Sequence, residues 1–243
     1  MNFWDLVFPP KCIACEEVLD TVEKRLRRKG ADALCPGCRA EFEKEKLKKC
    51  RYCSASMLDC LCRVPALYNA GCEDLLKLCR YSKDEQRALK SLIFCLKRNR
   101  DVRCERFMAT QLSYIVSAYL SEKNCGEWFI TSVPRGNKAK IRYGYDHAER
   151  LARRVAKLCG IEYVSVLGRS KRSREQKYLG YSDRMSNVKG TFALKNAAMA
   201  RGNNFIILDD VVTSGASMSE CVRLLLEGGA ARTVGACIAV AGK

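Results

Sequence analysis

The sequence has little histidine, few acidic residues and no long apolar run. Its single histidine, His147, excludes any chemistry that needs two histidines. No apolar run reaches the roughly 18 residues of a membrane-spanning helix, and the start MNFWDLVFPP lacks the basic n-region of a signal peptide. These absences predict a cytoplasmic protein without a membrane span. Because His147 lies at a predicted helix start, we expect a surface or capping residue rather than a catalyst.

Basic residues far outnumber acidic ones. The chain has 44 Lys and Arg against 27 Asp and Glu, which gives a formal net charge of +17. If two zinc ions were each bound by four thiolates, each site would contribute about −2 and lower the net charge to about +13. Such a charge attracts nucleic acid and other polyanions without sequence specificity, although solubility alone also explains it. The basic runs 24–29 and 44–51 are therefore either solvated faces or phosphate contacts.

Cysteine is abundant, and its distribution is uneven. Of the 16 cysteines, eight lie in close pairs near the amino terminus, and the others are scattered through apolar segments. In a cytosolic protein, close pairs indicate a metal site more often than disulfides, and four thiolates suit tetrahedral Zn²⁺. The predicted ligands are Cys12, Cys15, Cys35 and Cys38 at a first site and Cys50, Cys53, Cys60 and Cys62 at a second. The spacing does not decide whether the pairs group in this order or interleave.

Beyond residue 65 the apolar pattern alternates between helices and strands. The predicted helices lie within 75–96, 108–120 and 148–158, and the predicted strands cover 128–133, 205–208 and 233–240. Strands that alternate with helices form a parallel sheet whose ligand site lies at the carboxyl edge. We therefore divide the chain into a cysteine-rich, zinc-ribbon-like module, residues 1–65, and an α/β domain, residues 66–243.

One stretch, 205–218, combines the features of a binding site. It reads FIILDDVVTSGASM, which predicts a buried strand, two acids, a turn of small residues and a helix. Aspartates at a strand end suit ribose hydroxyls, and backbone N–H groups at a helix start suit a phosphate. The turn has no Gly-Lys-Ser/Thr ending, so it is not a Walker loop. The candidate residues are Asp209 and Asp210, followed by Thr213, Ser214, Gly215, Ala216 and Ser217.

A second loop adds cations at the end of the strand 128–133. It contains Arg135, Gly136 and Lys138, and a glycine-containing loop with two cations suits a diphosphate.

The pattern in 205–218 resembles the phosphoribosyl-pyrophosphate (PRPP) signature of type I phosphoribosyltransferases. This resemblance implies that Asp209 and Asp210 bind the ribose hydroxyls and that 213–217 bind the 5′-phosphate. It also implies that pyrophosphate leaves toward Arg135 and Lys138, with magnesium bound to PRPP.

Further residues extend the resemblance over nearly the whole chain. Together with the cysteine module, the stretch 142–147 and Gln176, Leu179, Arg184, Asn187, Gly190 and Phe192 resemble the ComF family of competence-associated proteins. The family implies a zinc module, a type I phosphoribosyltransferase-like parallel sheet flanked by helices, and a link to DNA uptake. The chain departs from it at 143–147, where Tyr-Gly-Tyr-Asp-His replaces the usual Arg-Gly-Phe-Asn-Gln, and at Ser214 and Ser217, where threonine is common.

Two functions are compatible with these features. The first is an enzyme that transfers phosphoribose from PRPP to a nitrogen nucleophile, for which the sequence names no acceptor. The second is a module that binds single-stranded DNA through basic loops and retains the PRPP fold for regulation or structure. Other DNA-uptake proteins are further candidate partners under either function.

Overall fold

The computed structural model describes residues 9–19, 33–50, 52–60, 62, 64–82, 86–98, 101–123, 126–136, 145–170 and 190–241. A five-stranded parallel sheet forms the centre of this part of the chain, with strand order β1-β7-β6-β2-β3. Its strands are β1 Leu75–Tyr81, β2 Trp128–Ser132, β3 Glu162–Tyr163, β6 Asn204–Val212 and β7 Arg232–Ala241. A separate antiparallel pair consists of β4 Leu167–Arg169 and β5 Phe192–Leu194. The predicted parallel α/β sheet is confirmed.

Helices cover both faces of the sheet. In chain order they are α1 Pro36–Leu47, α2 Pro65–Asn69, α3 Arg87–Arg98, α4 Val102–Glu122, α5 His147–Cys159, α6 Ala197–Ala200 and α7 Ala216–Glu227. Their ends follow local chemistry. Asp146 caps α5 by accepting a hydrogen bond from the N–H of Glu149 at 3.2 Å, and Gly160 ends the helix at φ +70°.

The core has two main halves that meet at β6 and β7. Alternate residues of a strand point to opposite faces of the sheet. Accordingly, Ile206 and Leu208 pack into the half formed with α3, α4 and α5, whereas Phe205 and Ile207 pack into the half formed with α7. The unbroken apolar run of β6 is therefore explained by burial on both faces.

The cysteine-rich residues are part of this packing. Cys35, Cys38 and Phe42 share a hydrophobic cluster with core residues of α3 and α4. The ring of Phe42 packs edge-on against Phe107 of α4, with centroids 5.2 Å apart.

One predicted element is wrong. The leucines at 75–78 belong to β1, which pairs in parallel with β7, and not to a helix. Closely spaced leucines fit either structure, and pairing along β7 decides in favour of the strand. The helices within 89–96, 108–120 and 148–158 and the strands at 128–133 and 233–240 are confirmed. Within the described ranges, no helix has both the length and the hydropathy needed to cross a bilayer.

Candidate functional site

The two aspartates lie inside β6 rather than after it. β6 continues to Val212, and Asp209 pairs with Cys237 of β7, so the expectation that the strand ends before the acids is wrong. Because successive side chains of a strand alternate, the two carboxylates take different faces of the sheet. Asp209 shares its face with the apolar residues that pack on α7, and Asp210 shares the other with α3 and α5.

The carboxylate of Asp210 is buried and surrounded by cations. Its Oδ2 lies against Nε2 of His147, 3.4 Å from Nζ of Lys97 and 3.9 Å from Nη2 of Arg135. Its Oδ1 accepts a hydrogen bond from the N–H of Val211 at 2.6 Å. Burial alone raises the pKa of Asp210, but the hydrogen bond from His147 and the cationic neighbours lower that pKa to about 2. Asp210 is therefore an anion that the protein itself neutralises.

The environment of Asp209 disfavours the charged form of its carboxyl group, in contrast to that of Asp210. It is partly exposed, and its Oδ1 accepts a hydrogen bond from the N–H of Asp210 at 2.8 Å. Desolvation, followed by repulsion from the Asp210 carboxylate, raises the pKa of Asp209 to about 8. A carboxyl group in this state gains most from a ligand that donates hydrogen bonds or brings positive charge.

Asp209→Asn is expected to stabilise the ligand-free protein near neutral pH. The unfolded chain ionises this carboxyl near pH about 3.9, whereas the folded chain keeps its proton to about 8. Between these values the folded state binds more protons, so the free energy of unfolding falls as pH rises. Asparagine removes this loss and should add about 0.5–2 kcal/mol at about pH 8.

Urea unfolding at about pH 5 and about pH 8 measures this effect, and the gain should be larger at the higher pH. Asp210→Asn is the matched control with the opposite sign, because the lowered pKa of Asp210 contributes stability above pH about 4. Equal gains for Asp209→Asn at both pH values would contradict this assignment.

His147 corrects the sequence interpretation. It is the first residue of α5, as predicted, but its side chain is 1% exposed and contacts Asp210, so the surface or capping role is wrong. Asp146, one residue earlier, is the cap. Because a carboxylate can only accept, Nε2 of His147 carries the proton. Its Nδ1 is buried and has no hydrogen-bond partner among the described residues. No local signal in the sequence connects His147 with the distant Asp210.

The small-residue turn leads directly into α7. Thr213 and Ser214 are exposed, and Gly215, with φ +80°, immediately precedes the first helical residue, Ala216. A Cβ atom on Gly215 would lie 2.9 Å from Cγ1 of Val64 and 3.3 Å from Cγ of Leu67. Only glycine suits both this conformation and this contact. The turn thus presents the first N–H groups of α7 beside the acidic pair, which is an arrangement that binds anions.

The cationic loop after β2 lies at the same edge of the sheet. The N–H of Arg135 donates to Oδ2 of Asp146 at 3.3 Å, and its guanidinium approaches Asp210. Arg169 of β4 fastens the loop by donating to the carbonyl of Pro134 at 3.2 Å. Gly136 is also described, but Lys138 lies outside the described residues, as do 142–144, the basic run 24–29 and the family positions between 176 and 187. The structure therefore brings Arg135 and Asp210 together and leaves Lys138 a prediction.

The eight predicted zinc ligands form two separate clusters. Cys12, Cys15, Cys35 and Cys38 form one, and Cys50, Cys53, Cys60 and Cys62 form the other, with all four Sγ atoms of each within 4.8 Å of one another. The pairs therefore do not interleave. Sulfur separations of 3.6 Å for Cys15–Cys35 and 3.8 Å for Cys50–Cys62 match the edge of about 3.8 Å expected for tetrahedral zinc with Zn–S of about 2.3 Å.

In each cluster the backbone favours the thiolate form of one cysteine. Burial raises the pKa of Cys12, but backbone N–H groups, that of Cys35 first, bring that pKa to about 7. In the second cluster burial acts in the same way, and the N–H groups of Tyr52 and Cys53 bring the pKa of Cys50 to about 6. Burial and the neighbouring thiols raise the pKa of other cysteines in both clusters. A zinc ion would deprotonate these thiols as it binds, so the spacing of the four sulfurs allows both clusters to hold zinc.

Comparison with known proteins agrees with this geometry. Residues 142–243 match the phosphoribosyl transferase domain family. The matched stretch contains the acidic pair, the Gly215 turn and α7, whereas β1, β2 and the Arg135 loop precede it.

Curated relatives match over a similar length. The chain is 30% identical over 103 residues to the DNA utilization protein YhgH of Escherichia coli (strain K12), which covers 42% of this chain and 44% of that protein. It is 32% identical over 103 residues to the Salmonella typhi protein of the same name, with the same coverage of 42% and 44%. The chain thus spans less than half the length of these relatives.

The solved structures that resemble the chain distantly include two phosphoribosyl proteins. Glutamine PRPP amidotransferase from B. subtilis has 15% identity and a TM-score of 0.36, over 55% of this chain and 25% of that one. Purine phosphoribosyltransferase from Pyrococcus horikoshii has 15% identity and a TM-score of 0.34, over 55% and 73%. These superpositions are too distant to support a functional argument. The match over 142–243 and the five-stranded parallel sheet with flanking helices agree with the fold of type I phosphoribosyltransferases.

Proposed function

We propose that the protein binds Mg²⁺–PRPP at the carboxyl edge of β6 and transfers its phosphoribosyl group to a nitrogen nucleophile. The observation that carries this proposal is the convergence of Asp209, the Gly215 turn and Arg135 at one edge of the sheet, partly within a matched phosphoribosyl transferase domain. An anion site, a carboxylate and a cation side by side suit a ligand with a phosphate, ribose hydroxyls and a diphosphate.

In this proposal, different residues bind different parts of PRPP. The partly exposed Asp209 accepts hydrogen bonds from the ribose hydroxyls, and Asp210 keeps its cationic neighbours in place beside it. The turn 213–217 binds the 5′-phosphate at the amino terminus of α7. Arg135, with Gly136 and Lys138 of its loop, binds the pyrophosphate as negative charge develops on it. Magnesium, which would enter with PRPP, supplies further charge stabilisation for the leaving group.

Calorimetry with Mg²⁺–PRPP tests binding, and pyrophosphate release in the presence of nucleobases and amines tests turnover. Binding of Mg²⁺–PRPP but not of Mg²⁺–pyrophosphate alone would support a site that contacts the ribose and the 5′-phosphate as well as the pyrophosphate. Absence of PRPP binding would contradict the proposal, and binding without turnover of any acceptor would limit the protein to a PRPP sensor.

The curated relatives support a role in handling DNA, because they are named DNA utilization proteins. We therefore propose DNA uptake or use as the setting of this activity, with other DNA-uptake proteins as partners.

A second candidate function, binding of single-stranded DNA, is favoured by one groove. The groove has a volume of about 880 Å³ and lies between the first cysteine cluster and α3. Lys11, Lys90 and Lys97 line it, together with Phe94, which is 51% exposed. The groove also contains Glu16 and the Arg103–Asp101 ion pair, so its excess positive charge comes from the lysines. Cations for the phosphates and an exposed aromatic ring for base stacking are the components of a single-strand site.

Neutralising this groove is expected to weaken DNA binding in a salt-dependent way. Single-stranded DNA should bind the wild type with an affinity that falls steeply with salt, and the double variant Lys11→Gln with Lys90→Gln should lower the slope of log K against log [salt] by roughly 1.4. Phe94→Ala should cost about 1–3 kcal/mol of binding. Fluorescence titration of an oligothymidine at several salt concentrations measures both.

Lys157→Gln is the matched control for this experiment, since Lys157 is exposed on α5 and does not line the groove. If this single substitution lowers the salt slope by about half as much as the double groove variant, the effect per charge is the same, and binding is a property of net charge and not of this groove.

A further inference from the structure

Helix α3 connects the first cysteine cluster with the acidic pair. At its first residue, Nη2 of Arg87 donates to Sγ of Cys38 at 3.7 Å. In its last turn, Nζ of Lys97 lies 3.4 Å from Oδ2 of Asp210. Ten residues of helix separate the two contacts, a rise of about 15 Å. One rigid element therefore touches a zinc ligand at one end and the candidate PRPP site at the other.

The amino-terminal end of α3 is fastened to the cysteine-rich module. The first N–H groups of a helix lack partners within the helix. Here Oε1 of Glu41, on α1, accepts a hydrogen bond from the N–H of Ala88 at 2.9 Å. Gln86, just before α3, donates to Oε2 of Glu45 at 2.5 Å and to the carbonyl of Arg80 at 2.7 Å. Because α1 begins directly after Cys35 and contains Cys38, the position of α3 depends on the first cluster.

A hydrogen bond holds the carboxyl-terminal end of α3 beside the candidate PRPP site. The hydroxyl of Tyr145 donates to the carbonyl of Leu96 at 3.0 Å, and Tyr145 leads into Asp146 and His147. Leu89, Leu92 and Leu96 are buried in the core, so the helix is not free to rotate and its polar edge stays toward Asp210.

We propose that Lys97 is a further residue of the PRPP site and that the first cysteine cluster positions it through α3. The proposal rests on the proposed function. PRPP is a polyanion that must approach two aspartates, and a cation beside Asp210 lowers their repulsion. The side chain of Lys97 is 36% exposed, and an ammonium group has three N–H donors, so Lys97 can contact both Asp210 and a phosphate oxygen of the bound diphosphate. Arg87 is a positioning residue, which acts through Lys97.

Calorimetry with Mg²⁺–PRPP separates this role from an ordinary surface ion pair. Lys97→Met is expected to weaken binding at least about tenfold, because charge-assisted contacts to phosphate are lost. Lys97→Arg should retain most of the affinity. Arg98→Met is the matched control, since Arg98 is the next residue of α3 and stacks on Phe94 at 4.5 Å. It removes the same charge and should leave affinity unchanged.

A double-mutant cycle tests the connection to the cysteine cluster. Arg87→Met should weaken PRPP binding about fivefold in the wild type and have no effect in the Lys97→Met background, because the coupling runs through Lys97. Zinc content measured on every variant shows whether the first cluster stays loaded.

The single histidine offers a readout without ligand. His147 contacts the same oxygen of Asp210 as Lys97, so its imidazole ¹⁵N signals should shift in Lys97→Met and Arg87→Met but not in Arg98→Met. If the wild type binds PRPP and Lys97→Met binds it equally tightly, the inference is overturned and the proposed function stands. If the wild type binds no PRPP, both fail. Unchanged imidazole signals in Arg87→Met would overturn the positioning role by themselves.

Discussion

Cys38→Ser is expected to lose zinc from the first cluster and to destabilise the whole chain, whereas Cys53→Ser should lose zinc from the second and leave the sheet folded. The two substitutions are chemically identical and each removes one ligand of four. The difference lies in what surrounds each cluster. The prediction therefore compares the two sites inside one protein.

The first cluster is part of the main core. Cys12, Cys35 and Cys38 are buried in the same hydrophobic cluster as Leu89 of α3 and Phe107 of α4. Ligation and folding are coupled in such sites, with apparent zinc-binding free energies of about 10–16 kcal/mol. Loss of this site should cost more than about 4 kcal/mol of unfolding free energy and lower Tm by at least about 10 °C. That is a large part of the stability of a domain, typically about 5–15 kcal/mol.

The second cysteine cluster lies outside the two main halves of the core. Cys50 and Cys60 form a small cluster with Met57, and Cys53 is exposed. Its described polar link to the sheet is Lys77 of β1, whose Nζ donates to the carbonyl of Cys60 at 2.5 Å. Cys53→Ser should therefore cost less than about 1 kcal/mol of global stability and shift Tm by less than about 4 °C.

Metal analysis and thermal unfolding of freshly reduced protein measure both effects. The wild type should contain about two equivalents of zinc, and each variant about one. Equal losses of Tm in the two variants would contradict the distinction between a cysteine cluster inside the main core and one outside it. A wild type that contains no zinc would contradict the metal assignment itself.

Sequence reasoning succeeded where the signal is local. The cysteines form close pairs of the kind that a metal site requires, and the succession of an apolar strand, a small-residue turn and a helix in 205–218 follows from residues a few positions apart. It failed where partners are distant in the chain. Lys97, His147 and Asp210 meet because α3, α5 and β6 pack together, and no periodicity encodes that meeting. The same reason explains β1, whose leucines form a strand because β7 is beside them.

Gly215→Val is expected to abolish PRPP binding. Valine at φ +80° is strained, and its Cβ would lie 2.9 Å from Cγ1 of Val64, so the turn must move and withdraw the N–H groups of α7 from the phosphate. Gly160→Val is the matched control. Gly160 has φ +70° at the end of α5, and its Cβ would meet nothing within 4 Å. The control should therefore lose stability from the same backbone strain, about 1–2 kcal/mol, and keep PRPP affinity.

Asp209→Asn and Asp210→Asn are both expected to weaken PRPP binding, but to change folding stability in opposite directions. Hydrogen bonds from the ribose hydroxyls and the charge of Mg²⁺ favour the ionised form of Asp209 in the complex. Asp209→Asn removes these charge-assisted bonds and should cost about 1.5–3 kcal/mol of binding for each bond lost, or roughly tenfold to more than a hundredfold in Kd. The variant should nevertheless be more stable than the wild type at neutral pH, because the pKa of Asp209 is raised to about 8.

Asp210→Asn leaves buried His147 and the neighbouring cations without their anion, so it should lose both affinity and folding stability. Calorimetry with Mg²⁺–PRPP, paired with urea unfolding of each variant, separates the two patterns. Wild-type affinity in Asp209→Asn and in Gly215→Val would show that PRPP binds elsewhere. Identical stability changes for the two asparagine variants would show that the two carboxylates share one environment, which contradicts their placement on opposite faces of β6.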